Sequence, residues 1–228
     1  MSTTPATLFE DDDLIILNKP SGLLTEGGGD RERDLEQLAR NATGKAVHCC
    51  HRLDRLTSGA VLLRKTARYN RELAALFEQH RLRKLYWAIV DGAWPRGINK
   101  VETHIAPVGG GRFANVTSGG KLAVTTVRVL GRYDQPTALT WLGLLLKTGR
   151  THQARLHCAH LGCPVTGDPL YGPATADGTF GLHARELRFK HPATGAEVVA
   201  TAPVPAAWAA WSDDFVEPGP TAEITLPR

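Results

Sequence analysis

Apolar positions along this chain come in short runs with two rhythms. Leu8-Phe9-Glu10 and Leu14-Ile15-Ile16-Leu17 read as two short strands joined by an acidic turn, and Asn18-Lys19-Pro20-Ser21-Gly22 breaks the run with a tight loop. Leu35 and Leu38 stand at helical spacing, and Gly44 stops that short helix. Ala60-Val61-Leu62-Leu63 is an unbroken apolar run of strand length, as a buried strand requires. The clearest helix follows, with Thr66 placed to cap it and Leu73, Ala74, Leu76 and Phe77 making its inner stripe. Leu85-Tyr86-Trp87-Ala88-Ile89-Val90 predicts a strand ended by Asp91-Gly92, and residues 93–120, rich in Gly and Pro, predict loops and short hairpins. Leu122 to Val129 alternates as an antiparallel strand does, and Ala138 to Leu146 predicts a more buried one. Thr148-Gly149-Arg150-Thr151 then turns into a helix over His152–Leu161, closed by Gly162. Residues 182–190 and 197–202 pair across Pro192-Ala193-Thr194-Gly195, and a short last helix holds Trp208 and Trp211.

Composition adds bounds to this pattern. The chain has 228 residues, enough for one large domain or two small ones, and its 42% apolar content with mixed charge is that of a soluble globular protein. No apolar run approaches the ~18 residues of a membrane span. The acidic N-terminus has no apolar signal region, so the cytoplasm is the expected location. Cys49, Cys50, Cys158 and Cys163 are too few for a disulfide framework in a chain this long and are expected to be reduced. The layout expected is a disordered leader over 1–7, one body over 8–216 and a flexible tail over 217–228. Charge is uneven: −5 over residues 1–30, −3 over 212–228, and +12 over the rest, so a net +4 hides a basic body. Such a body suits a polyanionic partner such as nucleic acid.

Three places carry chemistry. In His51-Arg52-Leu53-Asp54-Arg55-Leu56-Thr57-Ser58-Gly59 an acid lies between two arginines on a loop anchored to the following strand. A carboxylate held still and kept ionised suits a nucleophile or an acid/base group, and equally an ordinary surface ion-pair loop. The helix start at Thr151 brings Arg150, His152, Arg155 and His157 together, a cationic helix N-terminus able to hold a phosphate or the Asp54 carboxylate. Tyr86 beside Arg83-Lys84 is either a core aromatic or a platform for a base. His48-Cys49-Cys50-His51 invites a zinc site, but adjacent residues of an extended chain point to opposite faces and no CxxC or HxxxH pair completes it; no metal is expected. No GxSxG elbow supports a serine hydrolase, and no GxxxxGK[ST] or GxGxxG loop supports a nucleotide cofactor.

The stretch His51–Gly59 resembles the HRLDxxTSG signature of the RluA-type RNA pseudouridine synthases. Asn18-Lys19-Pro20-Ser21-Gly22-Leu23, Lys84–Gly92, Thr148–His157, Gly167-Asp168-Pro169-Leu170-Tyr171-Gly172 and Leu182-His183-Ala184 agree with that family in order and spacing, so the resemblance covers about residues 8–211. It implies an α+β fold with a central mixed, mostly antiparallel sheet, flanking helices and a cleft. It implies a reaction that needs no cofactor: a uridine base in RNA is detached at N1, turned, and rejoined to the ribose through C5. By the resemblance Asp54 is the nucleophile, Tyr86 lies against the flipped base, Arg155 is the ion-pair partner of Asp54, and Arg52 fills the stack the uridine leaves. Lys19, Arg150 and His152 are expected to contact RNA, either ribosomal RNA or a transfer RNA stem-loop. Many relatives carry a small basic RNA-binding domain ahead of the catalytic body, which this sequence is expected to lack, and a monomer is expected. Two other activities compete. A silent RNA-binding module would bind RNA without changing it, and a glycosidic hydrolase would release free uracil.

Overall fold

The computed structural model describes residues 5–28, 33–133 and 138–212. In chain order its elements are strands β1 (Thr7–Glu10) and β2 (Leu14–Lys19), helix α1 (Leu35–Thr43), strands β3 (His48–Cys49) and β4 (Ser58–Arg64), and helix α2 (Asn70–Glu78). There follow β5 (Arg83–Asp91), β6 (Lys100–Gly109), β7 (Arg112–Val116), β8 (Lys121–Tyr133), β9 (Leu139–Leu146), α3 (Gln153–His160), β10 (Leu182–Lys190) and β11 (Glu197–Thr201). A 3₁₀ turn, Ala206–Trp208, leads into the short α4 (Ala209–Ser212). The strands pair antiparallel except β4 with β10, which run parallel, so the fold is α+β with a mixed, mostly antiparallel arrangement. The chain divides into two compact units, one of residues up to Lys84 together with His183–Pro203, the other of Leu85–Leu182 with the residues from Val204 on.

In the first unit β4 is the central strand. All of Ser58–Leu63 is buried, so the apolar run needs cover on both faces. β2 pairs along one edge of β4, and β10 and β3 share the other. On one face Leu14, Ile16, Ala60 and Leu62 pack with Leu73 and Leu76 of α2 and with Leu187 and Phe189 of β10. Ile15 and Leu17 point the other way and share a pocket lining with Ala39 of α1. Helix α1 is capped by Asp34, whose carboxylate accepts from Gln37 N–H, and ends on Gly44 in the left-handed region. Ala6 and Thr7 belong to the sheet rather than to a disordered leader: Asn18 N–H donates to Ala6 O at 2.8 Å, and Thr7 pairs with Leu17. Residues 1–4 of that leader, Gly29-Asp30 and the 217–228 tail lie outside the described residues. Two expectations for α2 are corrected. Thr66 donates its hydroxyl to Asp13 instead of capping the helix, which begins after Tyr69, and Ala74 is exposed, leaving Leu73, Leu76 and Phe77 as the inner stripe.

In the second unit the strand order is β5-β9-β8-β6-β7. Residues 93–120, expected as loops and short hairpins, hold the ten-residue β6, whose Val101 and Ile105 are buried between exposed Lys100, Glu102 and His104. Tyr86, Leu144 and Val127 are register partners across β5, β9 and β8, so they share one sheet face with Thr125 and Thr103. Helix α3 lies on that face, its Leu156 packing with Ile105 and Ala123. Trp87 takes the opposite face with Ile89, Trp141 and Trp208, its ring meeting Trp141 edge-on at 4.8 Å.

Candidate active site

Asp54 opens a turn closed by Thr57 N–H donating to Asp54 O at 3.0 Å. Its side chain is half-buried, and everything around the turn is tied down. His51 Nε2 accepts from Leu62 N–H at 3.0 Å, fastening the loop to β4. Burial, with the Lys84 charge nearby, pushes this imidazole down to about 4, so it stays a neutral acceptor. Thr25 Oγ1 accepts from Leu53 N–H and donates to Leu53 O, gripping the residue before the acid at both backbone groups. The loop Lys19–Leu23 is stitched to the other side of the turn: Gly22 N–H donates to Arg55 O, Ser21 Oγ to Leu56 O, and Arg55 Nε to Gly22 O.

Lys19 is the buried peg of this assembly. Its Nζ donates to Pro20 O (3.1 Å), Leu23 O (2.7 Å) and Arg55 O (3.0 Å), and the side chain has no exposed surface. Burial lowers its pKa to about 7, against the upward pull of the Asp54 charge. The expectation that Lys19 contacts RNA is therefore corrected: an ammonium surrounded by three carbonyls and shut off from solvent does not reach a phosphate. Arg52, by contrast, is exposed, with Glu26 3.7 Å away across solvent-facing surface.

The strand after the turn is fixed from β10. Ser58 Oγ donates to His183 Nδ1 at 2.9 Å, and Gly59 pairs with Ala184. Gly59 has φ +112°, and a Cβ there would stand 2.2 Å from Ala184 O, so glycine is required twice over. The segments Asn18–Leu23, His51–Gly59 and His183-Ala184, far apart in sequence, thus hold the Asp54 turn and the strand that follows it.

The second unit gathers Arg150, His152 and Arg155 at the start of α3. The helix is held by a complete hydrogen-bond relay. Val124 N–H donates to Thr148 Oγ1, and Thr148 Oγ1 and Arg150 N–H donate to Gln153 Oε1. Gln153 Nε2 donates to Val124 O and Thr125 Oγ1. Thr103 donates to Asn115 Oδ1, and Asn115 Nδ2 to Leu156 O. His157, 2.9 Å from Thr125 Oγ1 and 3.0 Å from Thr103 Oγ1, closes the relay. Since the Thr103 proton is committed to Asn115, His157 must carry its proton on Nε2 and accept at Nδ1 from Thr125. Burial pushes His157 down to about 4, in keeping with a neutral ring. His152, at φ 56°, is the residue before the helix and bonds Tyr171 Oη through Nδ1 at 2.7 Å. Arg150, half-buried, donates Nε to Leu122 O.

Arg155 is buried, and Asp168 grips it along one edge: Nε donates to Oδ2 at 2.8 Å and Nη2 to Oδ1 at 2.7 Å. The rings of Tyr171 and Phe180 lie 5.1 and 5.5 Å from its guanidinium carbon. Tyr86, also buried, is on the sheet face that α3 covers. Asp168, Tyr171, Thr25 and the anchoring role of His51 were not singled out from the sequence. Only the segment Gly167–Gly172 carried a signal for the first two.

Among the described residues no three His, Cys, Asp or Glu side chains converge as a metal site would require. Burial, ahead of the nearby Glu36 charge, pushes the Cys49 thiol far up, and burial takes Cys50 up to about 11, so neither is a ready thiolate.

Known proteins share the sequence pattern and the fold of this chain. The pattern of the RNA pseudouridylate synthase family matches residues 13–160. The ribosomal large subunit pseudouridine synthase C of Vibrio parahaemolyticus is 32% identical over 207 residues, covering 86% of this chain and 65% of that protein. An uncharacterized RNA pseudouridine synthase of Synechocystis is 36% identical over 219 residues, 88% of this chain and 73% of the relative. The chain thus spans about two thirds to three quarters of the length of these relatives. The solved structure of human RNA pseudouridylate synthase domain containing 4 superposes with a TM-score of 0.72 over 89% of this chain and 90% of that one, at 24% identity, which shows the fold. With a family pattern matched across most of the chain and its fold reproduced, this chain belongs to the RNA pseudouridylate synthases, of the RluA type.

Proposed function

We propose that this chain isomerises specific uridines in structured RNA to pseudouridine, with Asp54 as the nucleophile on a flipped-out uridine. The observation that carries the reading is the Asp54 turn: a half-exposed carboxylate on a loop pinned by Lys19, Thr25 and His51. Immobilising a reacting group in a defined geometry is where such catalysis finds much of its rate. In the reaction the N1–C1′ bond breaks, a C5–C1′ bond forms, C5 loses a proton and N1 gains one, so the product has the mass of the substrate. Tyr86 is proposed to lie against the flipped base and Arg155 to act as the counter-charge of Asp54, both on the family resemblance. Arg52, Arg150 and His152 are proposed as RNA contacts, Arg52 supported by its exposure. The names of relatives such as the Vibrio enzyme favour large-subunit ribosomal RNA as substrate, with a transfer RNA stem-loop as the second choice. No helix among the described residues is long and apolar enough to cross a membrane. Action as a monomer in the cytoplasm is part of the proposal.

The test maps pseudouridines in all stable RNAs by chemical labelling and primer extension, with and without the gene. A site lost on deletion and restored by the wild-type gene names the substrate. An unchanged map, with RNA binding intact in vitro, would mean a silent binding module, and free uracil would mean a hydrolase.

A further inference from the structure

We infer that Asp168 is a positioning residue for uridine isomerisation, acting through Arg155 and Tyr171. This rests on the proposed function. It gives Asp168 a role that the resemblance did not assign.

Asp168 has no exposed surface, and both its oxygens are used toward the same end. Oδ2 accepts from Arg155 Nε, and Oδ1 accepts from Arg155 Nη2, Leu170 N–H and Tyr171 N–H. One carboxylate thereby fixes a guanidinium and the backbone that carries the ring beneath it. Tyr171 passes the constraint on: its hydroxyl lies 2.7 Å from His152 Nδ1 and donates to Phe113 O. The chain reaches this place through Gly167, at φ +74°, where a Cβ would stand 2.0 Å from Thr179 O, so the acid is delivered by a turn that only glycine permits.

A long arginine side chain has many rotamers, and a planar fork against a carboxylate selects one. Because Asp168 occupies the Nε–Nη2 edge, the direction of the opposite Nη1 edge is set. A buried ion pair is a poor device for stability, since well-packed apolar residues of the same volume do as well or better. What the pair supplies that apolar filling would not is a cation aimed in one direction.

The test is steady-state isomerisation of an RNA substrate by the full-length chain with Asp168→Asn and Asp168→Glu, each first checked for folding by circular dichroism. Asn keeps the shape but loses the charge, and Glu keeps the charge but displaces the guanidinium by about one ångström. Misplacement on that scale costs on the order of 10²-fold. The expected result is a kcat lowered by roughly that factor in both variants with KM within about twofold, the Glu variant retaining more activity. A wild-type kcat in a folded Asp168→Asn or Asp168→Glu variant would overturn the inference. A loss confined to KM would overturn it equally, because it would make Asp168 a matter of RNA affinity. On the wild-type protein, the Nε–H resonance of Arg155 should exchange slowly with water. Rapid exchange would show an unclamped side chain and overturn the inference whatever the variants do. If the wild type itself forms no pseudouridine, the proposed function fails. Activity abolished by Asp54→Ala but untouched by Asp168→Asn sinks the positioning role alone.

Discussion

Replacing Lys19 with Met separates a structural peg from an RNA contact. Methionine nearly matches the length and volume of the lysine stem but offers no donor. Three carbonyls, of Pro20, Leu23 and Arg55, lose their partner. With its pKa lowered to about 7 the amine is only partly charged near neutral pH, so its hydrogen bonds are taken at the neutral value of about 0.5–1.5 kcal/mol each. The buried carbonyls left without a donor add to the loss, and relief of the amine's desolvation offsets part of it. The net expected from Lys19→Met is a loss of about 2–3 kcal/mol, read as a lower urea midpoint at unchanged slope. Since one of the three carbonyls belongs to Arg55, directly after Asp54, kcat should fall about 10–100-fold if Asp54 acts as proposed. The decisive assay is RNA affinity against salt. Each phosphate contact contributes about 0.7–0.9 to the slope of log K on log salt concentration. Lys19→Met should leave that slope unchanged, whereas exposed Arg52→Ala should lower it by about one contact with stability within ~0.5 kcal/mol of wild type. A stable, fully active Lys19→Met variant with a shallower salt slope would refute the reasoning.

Two further outcomes follow from the packing. Gly59→Ala drives a Cβ to 2.2 Å from a backbone carbonyl at a positive φ, so the expected result is a loss of about 3 kcal/mol or failure to accumulate folded protein; a wild-type melting curve would contradict it. His157 and His183 are each held near 4, below the ordinary 6.5, so the unfolded chain takes up their protons first as pH falls. Their contribution is fully present above pH 6.5 and is lost between there and about 4, on the order of 3 kcal/mol each at most. Imidazole resonances of these two histidines that titrate near 6.5 in the folded protein would show the reasoning wrong.

Much of the fold was legible in the sequence because it rests on local signals. The unbroken run Ala60–Leu63 is buried on both faces, and Gly44 ends α1 in the left-handed region its position suggested. The hairpin expected within 93–120 is there as β6–β7, but the length of β6 was not read although Val101, Thr103 and Ile105 alternate with Lys100, Glu102 and His104; the glycines and prolines around it hid a strand that also pairs with β8. The site was legible as motifs but not as contacts. A lysine satisfied by backbone carbonyls, one of them 36 residues on, leaves no charge pattern to read, which is why Lys19 looked like a surface cation. Asp168 has its cation 13 residues back on a helix, a separation at which neither helical nor strand periodicity pairs charges. Thr66 had the composition of a helix cap, but Asp13 across the sheet competes for its hydroxyl.

The central claim, that a pinned Asp54 attacks a flipped uridine, is tested most directly by single-turnover assay of wild type and Asp54→Ala on the RNA that the pseudouridine map identifies. The prediction is mass-neutral conversion of one uridine by the wild type, no detectable conversion by Asp54→Ala, and RNA affinity and urea midpoint close to wild type in the variant. Pseudouridine formed by Asp54→Ala at the wild-type rate would contradict it.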